Sequence, residues 1–264
     1  MNQPQKSFRI LLLGDSCYDY YHYGNVERIS PEAPIPIFDS EYTEKKHGMT
    51  SNVRENFLAL GLYVDFQTHF FENKNRYMDL KSKQQLLRVD QKIYEEGMPY
   101  VIHQIIDYQK YDAIVISDYD KGFLSYDDLS LICSSFDGPI FIDTKKKHLG
   151  NFSAPHIYFK INQKEYDSLE SVPPQSHMIV TNGSEHVLLE KPKPDAGMIF
   201  YPPKIQSFDV CGAGDTFLAS LVFEFLRSER DIEKAIQFAI RASVITIQHI
   251  GVYAPTLKEI ENEI

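Results

Sequence analysis

The sequence predicts an α/β fold with a doubly wound, mostly parallel sheet that is flanked by helices. Short continuous apolar runs, typical of strands buried on both faces, recur along the chain and alternate with helical patterns. Polar residues follow almost every run at its carboxyl end, where ligands bind in open α/β sheets. The 264 residues suffice for one such domain, which we expect to span residues 1–264.

Composition narrows the class of protein. The formal net charge of −10 argues against a nucleic-acid-binding protein, which would need a basic face. Three scattered cysteines, Cys17, Cys133 and Cys211, indicate a reducing compartment without disulfides. No apolar run is long enough to span a membrane, and none has the layout of a signal peptide. We therefore expect a cytoplasmic protein.

The first strand is predicted from the apolar run at residues 8–13, and Gly14 and Asp15 are expected to end it. Asp15 and Asp19 follow at its carboxyl end, where they are either ordinary loop acids or ligands of sugar hydroxyls. Residues 26–37 contain three prolines and cannot form a helix or a central strand. They could form the edge strands of a small flap.

A glycine-containing turn at residues 47–52 leads into a helix that Gly61 ends. Asn52 at this turn could hydrogen-bond a polar ligand. Residues 63–69 alternate and predict a strand. In the basic segment that follows, Arg76 and Arg88 are the better phosphate ligands, because a guanidinium binds phosphate with two hydrogen bonds.

The strand pattern continues through the middle of the chain after a predicted helix at residues 99–108. Further parallel strands are predicted at residues 113–116, 140–142, 157–159 and 178–180, and late antiparallel strands at 186–190 and 198–201. Ser125, Asp231 and Thr256 are predicted to cap the helices that follow them.

The segment 209–216 carries the clearest chemical signal. Gly212, Ala213 and Gly214 precede a helical pattern, so their N–H groups should point at whatever lies beyond the helix N-terminus. Together with the helix dipole they form an anion site. Asp215 in the first turn either complements the dipole or accepts a proton from a hydroxyl during phosphoryl transfer.

With these segments located, the chain resembles the ribokinase-like (PfkB) sugar kinases from about residue 8 to residue 260. The segment 209–216 matches the C-terminal signature of that family. The resemblance implies that Asp215 is the catalytic base and that the amides of Gly212, Ala213 and Gly214 form the anion hole. It also implies a ribokinase-like fold with a small β lid, built from about 21–46 and 71–94.

The same resemblance implies a site for ATP and Mg²⁺. Asn162 and Glu165 match the Asn-x-x-Glu motif near the magnesium ion and the phosphates. Thr181 and Gly183 match the Thr-x-Gly turn at the nucleotide.

Within the family, residues 28–36, 84–90 and 117–122 resemble the kinases of D-glycero-D-manno-heptose 7-phosphate. This resemblance implies phosphorylation of a sugar phosphate at its anomeric hydroxyl, O1. A kinase for another sugar and a shortened, inactive relative that binds nucleotide or sugar remain alternatives. The residues implied to orient the sugar are Asp15, Asp19, Gly48 and Asn52, and those implied to meet its phosphate are Arg76, Arg88 and Lys121.

Three departures from the family pattern stand out. Met49 replaces the second of two paired glycines and is expected to narrow the sugar site. His186 stands where a second glycine is frequent. Relatives also carry a Gly-Asp-Asp segment and further structure after the strand at residues 63–69, which this chain lacks. We therefore expect a bare sheet edge and a homodimer, formed through the lid or through this edge.

Overall fold

The computed structural model describes residues 8–93, 107–192, 194–206 and 208–262. The helix predicted at residues 99–108 lies outside the described residues except for its last two positions. The last of these, Tyr108, begins a single 3-10 turn, Tyr108–Lys110.

The described strands form one ten-stranded sheet in the order β10-β9-β8-β7-β6-β5-β1-β3-β4, with β2 paired to β1. Pairing is parallel from β3 through β1 and β5 to β8, and antiparallel for the strand pairs β1–β2, β3–β4, β8–β9 and β9–β10. The strands are β1 Ile10–Ile29, β2 Pro36–Met49, β3 Val64–Asp79, β4 Gln85–Lys92, β5 Ala113–Asp118, β6 Ile140–Thr144, β7 Ile157–Asn162, β8 His177–Asn182, β9 His186–Glu190 and β10 Met198–Phe200.

Helices cover both faces of the sheet, which confirms the predicted α/β architecture. They are α1 Thr50–Ala59, α2 Tyr126–Ser135, α3 Gln163–Asp167, α4 Ala213–Arg227, α5 Ile232–Thr246 and α6 Leu257–Asn262. Alternate residues of β1 point to opposite faces. Ile10 and Leu12 pack in one apolar core with α1, α4, α5 and α6, whereas Leu11 and Leu13 pack in a second core with α2.

The predicted end of the first strand is wrong, because β1 continues past Gly14 and Asp15 to Ile29. It pairs with β3 as far as Gly24 and Asp79, and with β2 over most of its second half. The apolar run ends where β1 leaves the two cores, but the backbone ladder does not depend on side chains and continues. We call this extension (β1 from Ser16, β2, β3 from Phe70, and β4) the outer sheet. The two ends of the proline-rich stretch at residues 26–37 belong to β1 and β2 of this outer sheet.

The predicted helix boundaries agree with the observed caps. The side chains of Ser125 and Asp231 accept hydrogen bonds from backbone N–H groups of the first helical turns that follow them, and Thr256 forms a capping box with Glu259. Gly61 has a φ of +82° just beyond the end of α1. None of the described helices combines the length and the apolar character that crossing a membrane requires.

Gly14 permits the close contact between β1 and β5 and provides a test of this packing. Its φ is +150°, and an added Cβ would lie 1.9 Å from the Ser117 carbonyl oxygen. We expect Gly14→Ala to lower the free energy of unfolding by at least about 3 kcal/mol, because the backbone atoms cannot move aside. Urea unfolding of the purified variant measures this loss.

Gly61→Ala is the matched control, because Gly61 also has a positive φ but no atom within 4 Å of the added Cβ. It should cost only the conformational penalty of about 1 kcal/mol. Equal losses for the two variants would contradict the packing argument.

Candidate functional site

A cavity of about 150 Å³ lies where the carboxyl ends of β5, β6 and β7 meet the N-terminus of α4. Strands of a parallel sheet bring their carboxyl ends to one edge, so polar residues distant in sequence converge there. The cavity is lined by Asp118, Tyr119, Asp143, Lys145, Lys160, Asn162, Glu165, Gly212, Gly214 and Asp215.

The N-terminus of α4 supplies the anion-binding part of this cavity. Gly212 is the N-cap residue, with a φ of +80°, and Ala213 opens the helix. The helix dipole and the first N–H groups of α4 favour negative charge at this point. The Ala213 N–H donates to the Val210 carbonyl at 3.3 Å. One of the three predicted anion-hole amides therefore has a partner within the chain.

Asp215 lies in the first turn of α4 with its carboxylate held by two donors. Asn52 donates from its Nδ2 at 2.8 Å, and the Tyr119 hydroxyl donates to the other oxygen at 3.0 Å. Burial raises the pKa of Asp215 to about 6, and the hydrogen bonds from Asn52 and Tyr119 oppose this shift. A carboxylate with this pKa is suited to accepting a proton near neutral pH.

An ion pair between the buried Lys160 and the partly buried Asp143 lines the same cavity as Asp215. Asp143 at the end of β6 accepts a hydrogen bond of 2.6 Å from the Lys160 ammonium in β7. Burial raises the pKa of Asp143, and the adjacent Lys160 works against this shift. The pair keeps a cation at the anion-binding end of the cavity.

Asp19 and Arg76 form a second buried ion pair, on the outer sheet. Arg76 donates from Nε at 3.1 Å and from Nη2 at 2.9 Å to the same oxygen of Asp19. Gly48 leaves room for this carboxylate, because an added Cβ would lie 2.2 Å from Asp19 Oδ2. The sequence-predicted residues Asp19, Gly48 and Arg76 are thus brought together.

Asp15, predicted as a sugar ligand, contacts the loop after β5. It is completely buried, and its carboxylate accepts the backbone N–H groups of Tyr119 at 2.7 Å, Lys121 at 3.2 Å and Phe123 at 3.2 Å. Its carboxylate therefore holds the loop after β5. Three accepted hydrogen bonds leave acceptor capacity on a carboxylate, and the role of Asp15 as a sugar ligand stays a prediction.

The other predicted phosphate ligands also have carboxylate partners. Lys121 lies 3.1 Å from Glu72, which also pairs with Lys74. Arg88 binds Asp90 through two hydrogen bonds of 2.6 Å. Since Arg88 is directly opposite Arg76 in the β3–β4 ladder, both side chains are on the same face of the outer sheet.

Asn162 and Glu165, predicted at the metal and phosphates, cap α3 reciprocally. Each side chain accepts the other's backbone N–H, at 2.9 and 3.0 Å, and Glu165 also pairs with Lys145 at 2.6 Å. Thr181 is opposite Asn162 in the β7–β8 ladder, and Gly183 lies in the turn after β8. Neither Thr181 nor Gly183 lines the cavity.

The described residues contain no cluster of three or more Asp, Glu, His or Cys side chains that could hold a metal ion by themselves. The cavity does present several carboxylates, and oxygen is the ligand that Mg²⁺ prefers. Because Mg²⁺ usually retains waters and binds substrate phosphates, a site with few direct protein ligands still fits it.

A larger cavity of about 570 Å³ lies between the outer sheet and the segment that leads into α4. Asp209 from that segment lines it, and Gly212 and Gly214, a few residues later, line the first cavity. Its size suits a small organic ligand. Its lining residues are Tyr21, Met78, Ser82, Lys83, Gln84, Gln85, Phe208, Asp209 and Ile250.

Sequence reasoning did not assign Tyr119, Asp143, Lys145 or Lys160 to the site. Three of them, Tyr119, Asp143 and Lys145, follow or end predicted strands. The sequence therefore indicated where they lie along the chain but not which way their side chains point. Lys160 gave a stronger signal, because a lysine within an otherwise apolar buried strand is unusual.

The sequence was also compared with known protein families and curated proteins. Residues 158–259 match the model of the pfkB family carbohydrate kinases. Over 97% of its length the chain is 29% identical to the bifunctional protein HldE of Sulfurimonas denitrificans, of which it covers 64%. It is 26% identical over 96% of its length to HldE of Helicobacter pylori, of which it covers 65%. The chain thus spans just under two thirds of these curated relatives.

Solved structures share the fold across the whole chain. The phosphofructokinase-2 of Escherichia coli, in a complex with potassium, has a TM-score of 0.74 and 15% identity, with 97% of each chain covered. The ribokinase of Arabidopsis thaliana, complexed with ribose and ATP, has a TM-score of 0.71 and 13% identity, with 98% and 99% covered. These matches establish the ribokinase fold.

The buried carboxylate of Asp215 makes stability depend on pH. Its pKa rises from 3.8 in the unfolded chain to about 6 on folding. Between these values the folded chain holds a proton that the unfolded chain releases, so this residue destabilises the fold increasingly as the pH rises through the interval. We expect Asp215→Asn to gain up to about 3 kcal/mol relative to wild type between about pH 4 and pH 7.

Urea unfolding of both proteins at a series of pH values measures this difference. Asp127→Asn, at an exposed position of α2, is the control and should follow the wild-type profile. A stability difference between Asp215→Asn and wild type that does not change with pH would contradict the raised pKa.

Proposed function

We propose that this chain, which contains a PfkB carbohydrate kinase domain with the ribokinase fold, transfers a phosphoryl group from ATP to a sugar phosphate. The observation that carries the proposal is the placement of Asp215. Its buried carboxylate lies at the anion-binding end of α4, held by Asn52 from α1 and by Tyr119 from the loop after β5.

In the proposed reaction, Asp215 accepts the proton of the sugar hydroxyl as that oxygen forms a bond to the γ-phosphorus. The bond between this phosphorus and the ADP oxygen breaks, and ADP leaves. The free amides at the start of α4 stabilise the negative charge on the transferred group. The pKa of about 6 leaves Asp215 ionised at neutral pH and ready to accept the proton.

ATP would bind along the carboxyl ends of β7 and β8, where the predicted residues Asn162, Glu165, Thr181 and Gly183 lie. When bound, Mg²⁺ would neutralise charge on the ATP phosphates. Asn162 and Glu165 would hold it through water, since their side chains already cap α3 and Glu165 pairs with Lys145.

The sugar phosphate would lie beneath the outer sheet, in the larger cavity and the space between it and Asp215. Asp15, Asp19 and Asn52 would orient the sugar. Arg76, Arg88 and Lys121 would meet its phosphate. Residues 28–36, 84–90 and 117–122 support D-glycero-D-manno-heptose 7-phosphate as the substrate and O1 as the acceptor.

The outer sheet would act as the lid and as the contact surface of a homodimer. Leu86, Leu87 and Val89 on β4 are all exposed. Exposed apolar side chains on an edge strand are typical of surfaces that pair with another chain.

A panel of acceptors tests the substrate. We expect ATP consumption to be fastest with heptose 7-phosphate, compared with the unphosphorylated heptose, ribose and fructose 6-phosphate.

Asp215→Asn should reduce kcat by a factor on the order of 10² or more and leave nucleotide affinity unchanged, because it removes only the proton acceptor. Near-normal turnover in that variant would refute the role of Asp215.

Faster turnover of another sugar in the panel would indicate that the chain is a kinase for that sugar. Nucleotide binding without any product would select the inactive relative.

Arg76 tests whether a substrate phosphate is recognised at the outer sheet. Removing its guanidinium should raise KM for a phosphorylated acceptor by about tenfold to a hundredfold, because hydrogen bonds to charged groups are strong. The KM for the unphosphorylated sugar should change much less. Initial-rate kinetics of Arg76→Met with both acceptors measures the contrast.

Lys81→Met is the control, because Lys81 pairs with Glu27 on an exposed part of the outer sheet. It should leave both KM values unchanged. An equal rise of both KM values in Arg76→Met would show that Arg76 only supports Asp19.

A further inference from the structure

We infer that Lys160 binds the transferred phosphoryl group directly and that Asp143 is a positioning residue that holds the Lys160 ammonium. This inference rests on the proposed function, and it assigns to the site a catalytic residue that the sequence motifs do not include. It follows from the burial of Lys160, its position at α4 and its hydrogen bonds.

Lys160 is buried at a point where a charge is costly. It is 5% exposed and lies in β7 between the fully buried Phe159 and Ile161. The Asp143 carboxylate accepts a hydrogen bond of 2.6 Å from the Lys160 ammonium, and Asp215 lines the same cavity. The lysine is therefore held by a carboxylate at a point close to the proposed base.

The ammonium of Lys160 lies directly against the start of α4. A Cβ added to Gly214 would be 3.0 Å from Lys160 Nζ, so the absence of a side chain at Gly214 makes room for it. Both residues line the cavity. A phosphoryl group bound by the first amides of α4 is consequently within reach of this cation.

The Lys160 ammonium has hydrogen-bond donors left for a ligand. A lysine ammonium has three donors. Within the described part of the chain, the hydrogen bond that Lys160 makes is the one to Asp143 at 2.6 Å. Lys145, the other lysine that lines the cavity, is bound to Glu165 and has a side chain that is 46% exposed. Lys160 is therefore the inner cation of the site.

A purely structural ion pair between β6 and β7 is the alternative. Buried ion pairs, however, add little stability compared with apolar side chains of the same volume. Phe159 and Ile161, on either side of Lys160 in β7, are apolar and fully buried, so this strand accepts apolar residues. A cation placed at the anion-binding helix terminus has a chemical use there, because phosphoryl transfer develops negative charge at that point.

The test compares Lys160→Met with Lys160→Met/Asp143→Asn. The double variant removes both charges, so it avoids leaving an unpaired buried carboxylate and keeps the fold testable by thermal unfolding. We expect kcat to fall by about 10² to 10³ in both variants, as for loss of a single donor to a developing oxyanion. Asp143→Asn should lower kcat in the wild-type background but not further in the Lys160→Met background.

A binding measurement without turnover accompanies the kinetics. Calorimetric titration with a non-hydrolysable ATP analogue and with ADP should show that the double variant loses at least about tenfold more affinity for the analogue than for ADP. Lys191→Met is the matched control, because Lys191 pairs with Glu233 away from both cavities. It should retain wild-type kcat and affinities.

Recovery of near-wild-type kcat in the double variant would overturn the inference and leave a structural ion pair. Equal loss of affinity for the ATP analogue and for ADP would also overturn it. A wild-type protein that binds ATP but phosphorylates no sugar would refute the proposed function alone, because the binding comparison would still decide the role of Lys160. A wild-type protein that binds no nucleotide would refute both.

Discussion

The hydrogen bond between Asn52 and Asp215 is the constraint on which the site depends. It joins side chains that are 163 positions apart in sequence, one in α1 and one in α4. Both helices pack in the same apolar core against β1, so the sheet fixes the distance between their N-termini. A carboxylate buried at this point needs donors, and Asn52 and Tyr119 provide them. The packing of α1 with α4 and the position of the Asp215 carboxylate therefore rely on the same contact.

Paired charges characterise the rest of the site. Lys160 with Asp143, Lys145 with Glu165, Arg76 with Asp19 and Lys121 with Glu72 each join a cation to a carboxylate. The pairs fix the direction of long side chains that would otherwise lose rotamer entropy when a ligand binds. In this chain of net charge −10, the acidic residues of the site thus hold the basic ones in place.

Much of the fold could be predicted from local sequence patterns. Apolar runs located the core strands, and capping residues located the helix starts, because both signals arise from neighbouring residues. The length of β1 did not follow, since its second half is held by backbone pairing with β2 and β3 and not by an apolar pattern. The hydrogen-bond partners of Asp15 could not be predicted for a related reason. They are N–H groups more than a hundred positions away.

The sequence by itself determined the α/β class, the helix that begins after Gly212 and the identity of the acid in its first turn. Those properties depend on residues close together in the chain. The tertiary structure decided which distant side chains surround that acid: it brought in Asn52, Tyr119 and Lys160. Contacts across a sheet depend on strand order and side-chain direction, and no short stretch of sequence encodes either one.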